Sequence, residues 1–557
     1  MKSGNAPSPR PEEVSTLAQR ASTFAPFQHG NFRALWGATL VSNLGALIQG
    51  VGAGWMMTTI TDSHAMVALV QGATTLPVML FSVASGALAD NFDRRRLMLF
   101  AQIMMMVVSA GLAAFAFMGW ITPWLLLAFT FLIGCGTALH NPPWQASMGD
   151  IVPRADLPAA VTLNAMGFNL MRSVGPAIGG IIVAAAGVAT AFLINALSYV
   201  ALIVALLSWK PAYPPRALPR ETFGNAVFSG LRYVSMSPNL LKVMFRAFLF
   251  GMAAVSSVAL LPLVARELVG GGALTYGGLL GAFGVGAIIG GAVNGAVRAR
   301  LSNEWIVRIA CIGFGLSNIL LGLSGNVWIS LLLLLPAGAC WVLALSLFNV
   351  TVQLSTPRWV VGRALSLYQM AVFGGMAVGS WVWGAVADGS GPSMALLGSG
   401  VVMAATMIIG IRYRMPEFGA LNLDPAEQFR EPSLRLDLKA RSGPIMIMVD
   451  YTIAQEDIPA FLAAMSARRR IRIRDGARQW ALLRDLENPE TWTESYHVPT
   501  WVEYLRHNQR RTQADVEVTE ALSKLHRGPE RPRVHRMIER QTVPLGDDMP
   551  LKGEPHI

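Results

Sequence analysis

Residues 86–96 read GALADNFDRRR. A small apolar helix end, Gly86 to Ala89, runs into Asp90, a short break, Asp93, and then Arg94, Arg95 and Arg96. Roughly 20 mostly apolar positions flank this stretch on either side, the length needed to cross a bilayer core. It is therefore a tight polar loop between two membrane spans. Three arginines in so short a loop imply a cytoplasmic position.

A fainter copy lies further along the chain. Gly290, Asn294, Arg298 and Arg300 repeat Gly86, Asp90, Arg94 and Arg96 at a constant offset of 204 residues. Pro357 and Arg358 follow Pro153 and Arg154, and Gly379 and Gly384 follow Gly175 and Gly180, at the same offset. Agreement across six spans marks a duplicated, parallel-repeat body.

Composition agrees. Of 557 residues 53% are hydrophobic and only 14% charged, and the mean hydropathy is +0.45. This excludes a soluble globular protein. Residues 1–413 hold 22 Lys+Arg against 11 Asp+Glu, whereas residues 414–557 hold 22 of each. The net charge of +11 therefore belongs to the membrane body. It is loop charge that orients spans, not a nucleic-acid surface. Cys135, Cys311 and Cys340 lie in apolar stretches without metal-like spacing and read as packing residues.

Residues 1–31 form a polar arm without the apolar core of a cleavable signal peptide. Twelve apolar stretches follow, at about 35–57, 66–89, 97–119, 124–148, 157–186, 189–209, 241–265, 274–297, 305–324, 327–352, 361–387 and 393–411. Backbone groups in lipid must bond within their own segment, so these are helices. Two six-helix halves, 32–209 and 241–413, flank a linker at 210–240. In the linker Phe223, Val227, Leu231 and Val234 recur at helical spacing, as in an amphipathic surface helix. Lysine and arginine mark alternate loops, so both termini are expected to be cytoplasmic.

Beyond Arg412 the composition becomes that of a soluble domain. A connector at 414–442 precedes strand, helix, two strands, two short helices and a last strand within 443–543, a ferredoxin-like order; residues 544–557 read as a disordered tail. The expected class is thus an all-α polytopic membrane protein of twelve helices in two repeats, carrying a cytoplasmic α+β domain.

The loop at 86–96 resembles the loop-2/3 signature of the major facilitator superfamily of secondary transporters. Gly86, Leu88, Ala89, Asp90, Arg94 and Arg95 match it, while Asn91 and Asp93 depart from its commonest form. Asn141, Gln145, Pro153, Arg154, Asn164, Phe168, Asn169, Arg172, Gly175, Pro176, Gly179 and Gly180 resemble one bacterial efflux branch, the transmembrane secretion effector type containing the enterobactin exporter and macrolide pumps. This resemblance covers about residues 25–415. It implies alternating access between two rocking halves, and a gating motif at Gly86, Asp90, Asp93 and Arg94–Arg96. Gly175, Pro176, Gly179 and Gly180 look like the core of the span-5 motif of drug:proton antiporters, although Met171 stands where a further glycine is expected. Small residues let helices approach closely and proline leaves a bendable point. The C-terminal region resembles the small dimeric α/β-barrel domains of antibiotic-biosynthesis monooxygenases, which implies a homodimer.

Arg172 lies about fifteen positions into the fifth span, where a charge must face a cavity or a partner. It either captures an anionic or oxygen-rich group or holds carbonyls where spans 4 and 5 meet. His140, Asn141, Asn164, Asn169 and Gln369 add polar groups at membrane depth. No Asp or Glu lies mid-membrane, so Asp90, Asp388 and His140 remain the titratable groups for a coupling ion, expected to be a proton. No nucleotide-binding or zinc motif is present, and no cofactor is implied.

These residues read as a carrier in a bacterial inner membrane that exports a small amphipathic molecule, a siderophore or an antibiotic. Two other classes stay open. One is a membrane-anchored enzyme with a tail pocket around Trp492, His497 and Trp501, with His507 nearby; the other is a non-transporting sensor.

Overall fold

The computed structural model describes residues 24–153, 155–210, 223–417, 422–426, 429 and 431–539, without the side chains of Ala87, Ala89, Asp90, Asn91, Phe223 and Ala226. They fall into two compact units. One takes the described residues within Met1–Pro214, Lys242–Asn349 and Ser366–Pro416, the other those within Pro215–Leu241, Val350–Leu365 and Glu417–Ile557.

The first unit is built from helices α1 (Gly30–Ile60), α2 (His64–Asn91), α3 (Arg94–Phe117), α4 (Pro123–Ile151), α5 (Leu157–Ala186) and α6 (Val188–Ser208). After the linker helix α7 (Phe223–Ser235) come α8 (Pro238–Ala259), α9 (Ala273–Arg300), α10 (Asn303–Leu323), α11 (Val327–Leu354) and α12 (Val361–Arg412). Eleven helices among the described residues are long and apolar enough to cross a membrane. The longest, α12, has 52 residues and non-helical geometry at Gly391 (φ 84°, ψ 160°). An unbroken helix of that length would measure about 78 Å, over twice a bilayer core. Only glycine takes such a φ without strain, and Pro392 removes the next backbone donor.

Side-chain caps set several helix starts. Ser63 accepts from Met66 N at the start of α2, Asp93 from Arg95 N and Arg96 N at the start of α3, and Thr122 from Leu125 N at the start of α4.

Each half is tied internally by a buried polar knot joining its first, third and sixth helical segments. In the first half Gln49 Oε1 accepts from Ser109 Oγ (3.0 Å) and from Asn195 Nδ2, which also reaches Ser109 Oγ (3.2 Å). In the second, Asn318 Nδ2 donates to Ser256 Oγ (2.9 Å) and Ser399 Oγ (3.0 Å), while Ser257 Oγ donates to Asn318 Oδ1. Ser399 stands 204 positions after Asn195. The duplication visible in the loops therefore extends into the packing. Gln49 is consumed by this knot.

In the second unit, strands β1 (Ile445–Thr452), β2 (Arg478–Arg484), β3 (Thr491–Val498) and β4 (Arg533–Ile538) form one antiparallel sheet in the order β2-β3-β1-β4. Helices α13 (Ile458–Asp475), α14 (Trp501–Gln509) and α15 (Gln513–Leu525) connect them. Ile445, Ile447, Val449 and Tyr451 alternate inward along β1 and pack with Phe461, Met465, Tyr496 and Leu522.

Helix α7 and residues 350–365 group with this sheet domain. The sequence separates the linker at 210–240 from a domain at 443–543, so this grouping is a tertiary result. The buried face of α7 also differs from the expected stripe. Tyr233 and Val234 are buried, whereas Phe228 and Leu231 are exposed. Tyr233 packs edge-to-face on Trp359, with ring centroids 5.7 Å apart, and an aromatic pair outweighs the aliphatic stripe.

Candidate functional site

The span-5 motif is where the two halves meet. A side chain at Gly277 of α9 would sit 2.6 Å from Pro176 O and 2.8 Å from Gly180 Cα, and one at Gly284 would sit 2.6 Å from Ser173 Cα. Only glycine allows α5 and α9 to approach backbone to backbone in this way. Gly175 and Gly179 face the other way, onto Leu47 and Val51 of α1. The motif thus has two faces, one within its half and one across to the other.

Arg172 lies one turn before Pro176 on the same helix. Its guanidinium carbon is 5.6 Å from the Trp341 ring centroid and 5.9 Å from that of Phe283, both rings being buried residues of the second half. It has no hydrogen-bond or ionic partner among the described residues. A cation held over two aromatic faces gains roughly 2 kcal/mol each at best, and its five N–H donors stay unspent. The alternative role, binding carbonyls between spans 4 and 5, is not the one it takes here.

The other polar candidates divide into two groups. His140 is buried and stacks on Trp144, at 6.2 Å and 15° between planes. Trp144 Nε1 in turn donates to Asn164 Oδ1 (3.2 Å), and His140 Nδ1 has no partner among the described residues. His140, Trp144 and Asn164 thus form one ladder between α4 and α5. Asn169 accepts from Ser173 Oγ through its backbone carbonyl (3.1 Å). Asn141 is exposed and Gln369 half-buried, and neither joins this ladder or Arg172. A separate cavity of about 180 Å³ is lined by Gln49, Gln71, Thr74, Thr130 and Thr137 of the first half and Tyr276 of the second.

At the arginine-bearing end, Arg94 and Arg95 of the gating motif bond to helices of the first half. Arg94 Nη1 donates to Asp150 Oδ2 (2.8 Å) and Ala146 O (2.9 Å). Arg95 donates to Leu206 O and Leu207 O (both 2.7 Å), satisfying orphan carbonyls at the end of α6. Arg96 is exposed, 3.8 Å from the capping Asp93. Gly86 approaches Ser366 of α12, whose Oγ would lie 3.0 Å from an added Cβ. The side chain of Asp90 lies outside the described residues, as does Arg154.

The opposite end carries a cluster that sequence reasoning found only in part. Asp388 accepts from Ser63 Oγ (3.1 Å) and Ala65 N (3.1 Å) at the start of α2. His64 Nδ1 faces Ala387 O (2.9 Å) and its Nε2 faces Glu267 Oε1 (3.0 Å). A carbonyl only accepts, so Nδ1 must carry a proton. Making both bonds then needs a second proton, on Nε2 or on Glu267. These contacts tie the halves together. Partly exposed pairs of this kind are worth about 1 kcal/mol or less, so they open readily. The buried cluster Arg246–Glu304–Arg308, closed by Met415 N on Glu304 (2.9 Å), belongs to the second half alone and is of the kind that costs several kcal/mol to break. His64 and Glu267 left no sequence signal beyond being rare charges in loops nearly free of them.

In the sheet domain, Trp492, His497 and Trp501 do not gather into one pocket. Trp492 packs inward on Phe461 at 5.6 Å, whereas His497, five residues along β3, belongs to the opposite face. Trp501 stacks on Tyr504 at 4.9 Å. The buried polar centre lies elsewhere. Glu494 accepts from Arg472 Nε (3.1 Å) and Trp480 Nε1 (3.1 Å), with Arg468 Nε 3.6 Å away. Burial opposes its ionisation, but the two arginines and the indole hold its carboxyl below the usual range. His507, 3.0 Å from Arg472 Nη1, is pushed well below the usual imidazole range by burial and then by that guanidinium. Among the described residues no group of His, Cys, Asp and Glu could hold a metal ion.

A duplicated helical body, with a cation that lacks an ionic partner among the described residues where its halves meet and polar contacts joining them at one end, fits a membrane carrier. The chain belongs to the transmembrane secretion effector family of major facilitator superfamily transporters, whose family model matches residues 21–542 and so runs through the sheet domain. It is similar to the enterobactin exporter EntS of Escherichia coli O1:K1 / APEC, 26% identical over 397 residues, which is 69% of this chain and 94% of that protein. It is also similar to the staphyloferrin A transporter of Staphylococcus aureus (strain NCTC 8325 / PS 47), 25% identical over 288 residues, 50% of this chain and 72% of that protein. Among solved structures the fold is like a bacterial homologue of the human lysosomal transporter Spinster (TM-score 0.53, 13% identity, 69% of this chain and 94% of that one). It is equally like a POT family transporter in complex with 5-aminolevulinic acid (TM-score 0.55, 14% identity, 68% and 95%).

Proposed function

We propose that this transporter exports a small molecule of the siderophore class, bearing anionic or oxygen-rich groups on an aromatic or amphipathic frame. The observation that carries this reading is Arg172, whose guanidinium has no hydrogen-bond or ionic partner among the described residues and faces Phe283 and Trp341 across the contact of the halves. Such a group offers paired donors to a carboxylate or catecholate while the rings take its flat apolar part. The names of the two relatives point to the same class.

In this reading the body has twelve spans, with α12 counted as two across Gly391, arranged as halves 32–209 and 241–413 that rock about Arg172. Both termini and the sheet domain face the cytoplasm of a bacterial cell, as the arginine-bearing loops support. Asp90 serves as a latch at that end. A proton is the coupling ion, supported by the need for a second proton between His64, Ala387 and Glu267. The sheet domain is ferredoxin-like, as its strand order supports. Its face away from the helices pairs with a second copy.

The test is efflux from a siderophore- and drug-hypersensitive host, followed by flux in proteoliposomes. Export of a catecholate or carboxylate siderophore that Arg172→Ala strongly lowers is the expected result. Transport of cationic drugs alone, indifferent to Arg172, would overturn it.

A further inference from the structure

The two halves are duplicates, yet their loops at the arginine-bearing end are held differently. In the first half Asp150 takes Arg94 at 2.8 Å, and Asp156 takes His29 at 2.9 Å. At the 204-residue offset these carboxylates become Leu354 and Val360. Arg298, the counterpart of Arg94, finds Ser346 Oγ (3.2 Å) and no carboxylate among the described residues. Among the described residues the second half thus lacks both of these ionic contacts and carries Trp359 where the first half has Ala155.

That segment, residues 350–365, is held by α7 and the sheet domain. Tyr233 of α7 and Trp359 meet edge-to-face at 5.7 Å. Each ring carries an arginine from the sheet domain, Arg474 at 5.4 Å from Tyr233 and Arg510 at 4.3 Å from Trp359. Both arginines are fixed from behind. Arg474 is paired with Asp475 (2.8 Å) and Asp515 (2.9 Å), and Arg510 donates to Asp475 O (3.1 Å). Arg232 Nε donates to Arg474 O (3.2 Å), and Arg363 Nη1 to Ser229 Oγ (2.6 Å). Gly230 leaves room for the stem of Arg363, which an added Cβ would meet at 2.8 Å.

We propose that the C-terminal domain is a brace for the loop of the second half, gripping residues 350–365 through α7 in place of the ionic contacts that hold the matching loop of the first half. The partner of this surface is the chain's own linker helix and loop. Removing the clasp loosens one half selectively, which changes the balance between carrier states without touching the cargo site. It does not depend on which molecule is carried.

Hydrogen exchange on the full-length protein in nanodiscs tests this, comparing wild type with Tyr233→Ala, Trp359→Ala, the double variant and Trp359→Phe. The expected result is about tenfold faster exchange at 350–365 and at the ends of α13 and α14 in the alanine variants. Strands β1 and β3 and residues 141–153 should keep their wild-type rates, and Trp359→Phe, which keeps a ring for Arg510, should exchange slowly. Unchanged exchange at 350–365 in the double variant overturns the brace. So does equal loosening in Trp359→Phe and Trp359→Ala, or loosening that runs through the sheet, because either shows a role in the domain's own fold and not in docking.

Discussion

At the residue scale, Arg172 and His64 have opposite relations to their neighbours. Arg172 faces aromatic rings and keeps its donors free; His64 has an acceptor at each ring nitrogen. The first arrangement leaves donors available to a ligand in the proposed export, and the second joins the two halves. Arg172→Ala is expected to lower transport of an anionic cargo roughly 10- to 100-fold, the loss of a charge-assisted contact of about 1.5–3 kcal/mol. Arg172→Lys keeps the charge but not the planar fork and should retain part of the activity. Binding and flux measured on the same purified variants decide this; normal transport by folded Arg172→Ala removes it from the site.

At the element scale, two helix contacts set what the molecule can do. The α5–α9 contact is backbone against backbone, so Gly277→Val has no flexible side chain to push aside. Overpacking of this sort costs about 1–3 kcal/mol, and here it parts the two halves. Transport should fall to near background while insertion and yield remain, read by flux and by size-exclusion profile; full activity would show that the halves tolerate separation there. Within the sheet domain, His507 folds neutral, with Arg472 against it. Its folded pKa is depressed, so its contribution is present above the unfolded value of 6.5 and is lost as pH falls below it. Protection of β1 and β3 amides in wild type should drop between pH 7 and 5, by up to about 1.4 kcal/mol per pH unit, and His507→Phe should blunt that drop. Equal acid sensitivity in both proteins would place the effect on other groups.

At the scale of the whole molecule, the sheet domain takes in more of the chain than its own strands and helices. The linker helix and residues 350–365 pack with the sheet domain, and the family match continues through it. Cutting the chain after Ser442 should therefore leave a membrane-inserted carrier that works roughly two- to tenfold more slowly, a shift of about 0.4–1.4 kcal/mol in a conformational barrier. Flux at matched protein level measures this. Undiminished transport would make the domain dispensable, and complete loss in a folded body would make it part of the transport path itself.

What the sequence determined by itself follows from solvent and repetition. Lipid allows few backbone conformations, so apolar runs alone locate the spans, and a fixed offset of 204 residues reveals the duplication. Period-two and period-3.6 patterns likewise give the order of β1 to β4 and α13 to α15. The glycines of the span-5 motif and the arginine loop were legible as motifs, but not what they touch. Only the tertiary structure decided that Arg94 braces its own half, that Gln49 is spent in a polar knot, and that His64 meets Glu267, 203 residues away. It also decided that Trp492 and His497 point apart, and that Tyr233, Trp359, Arg474 and Arg510 converge. Such pairings join residues distant in the chain, and their energy depends on distance and burial, neither of which a local pattern of residue types encodes.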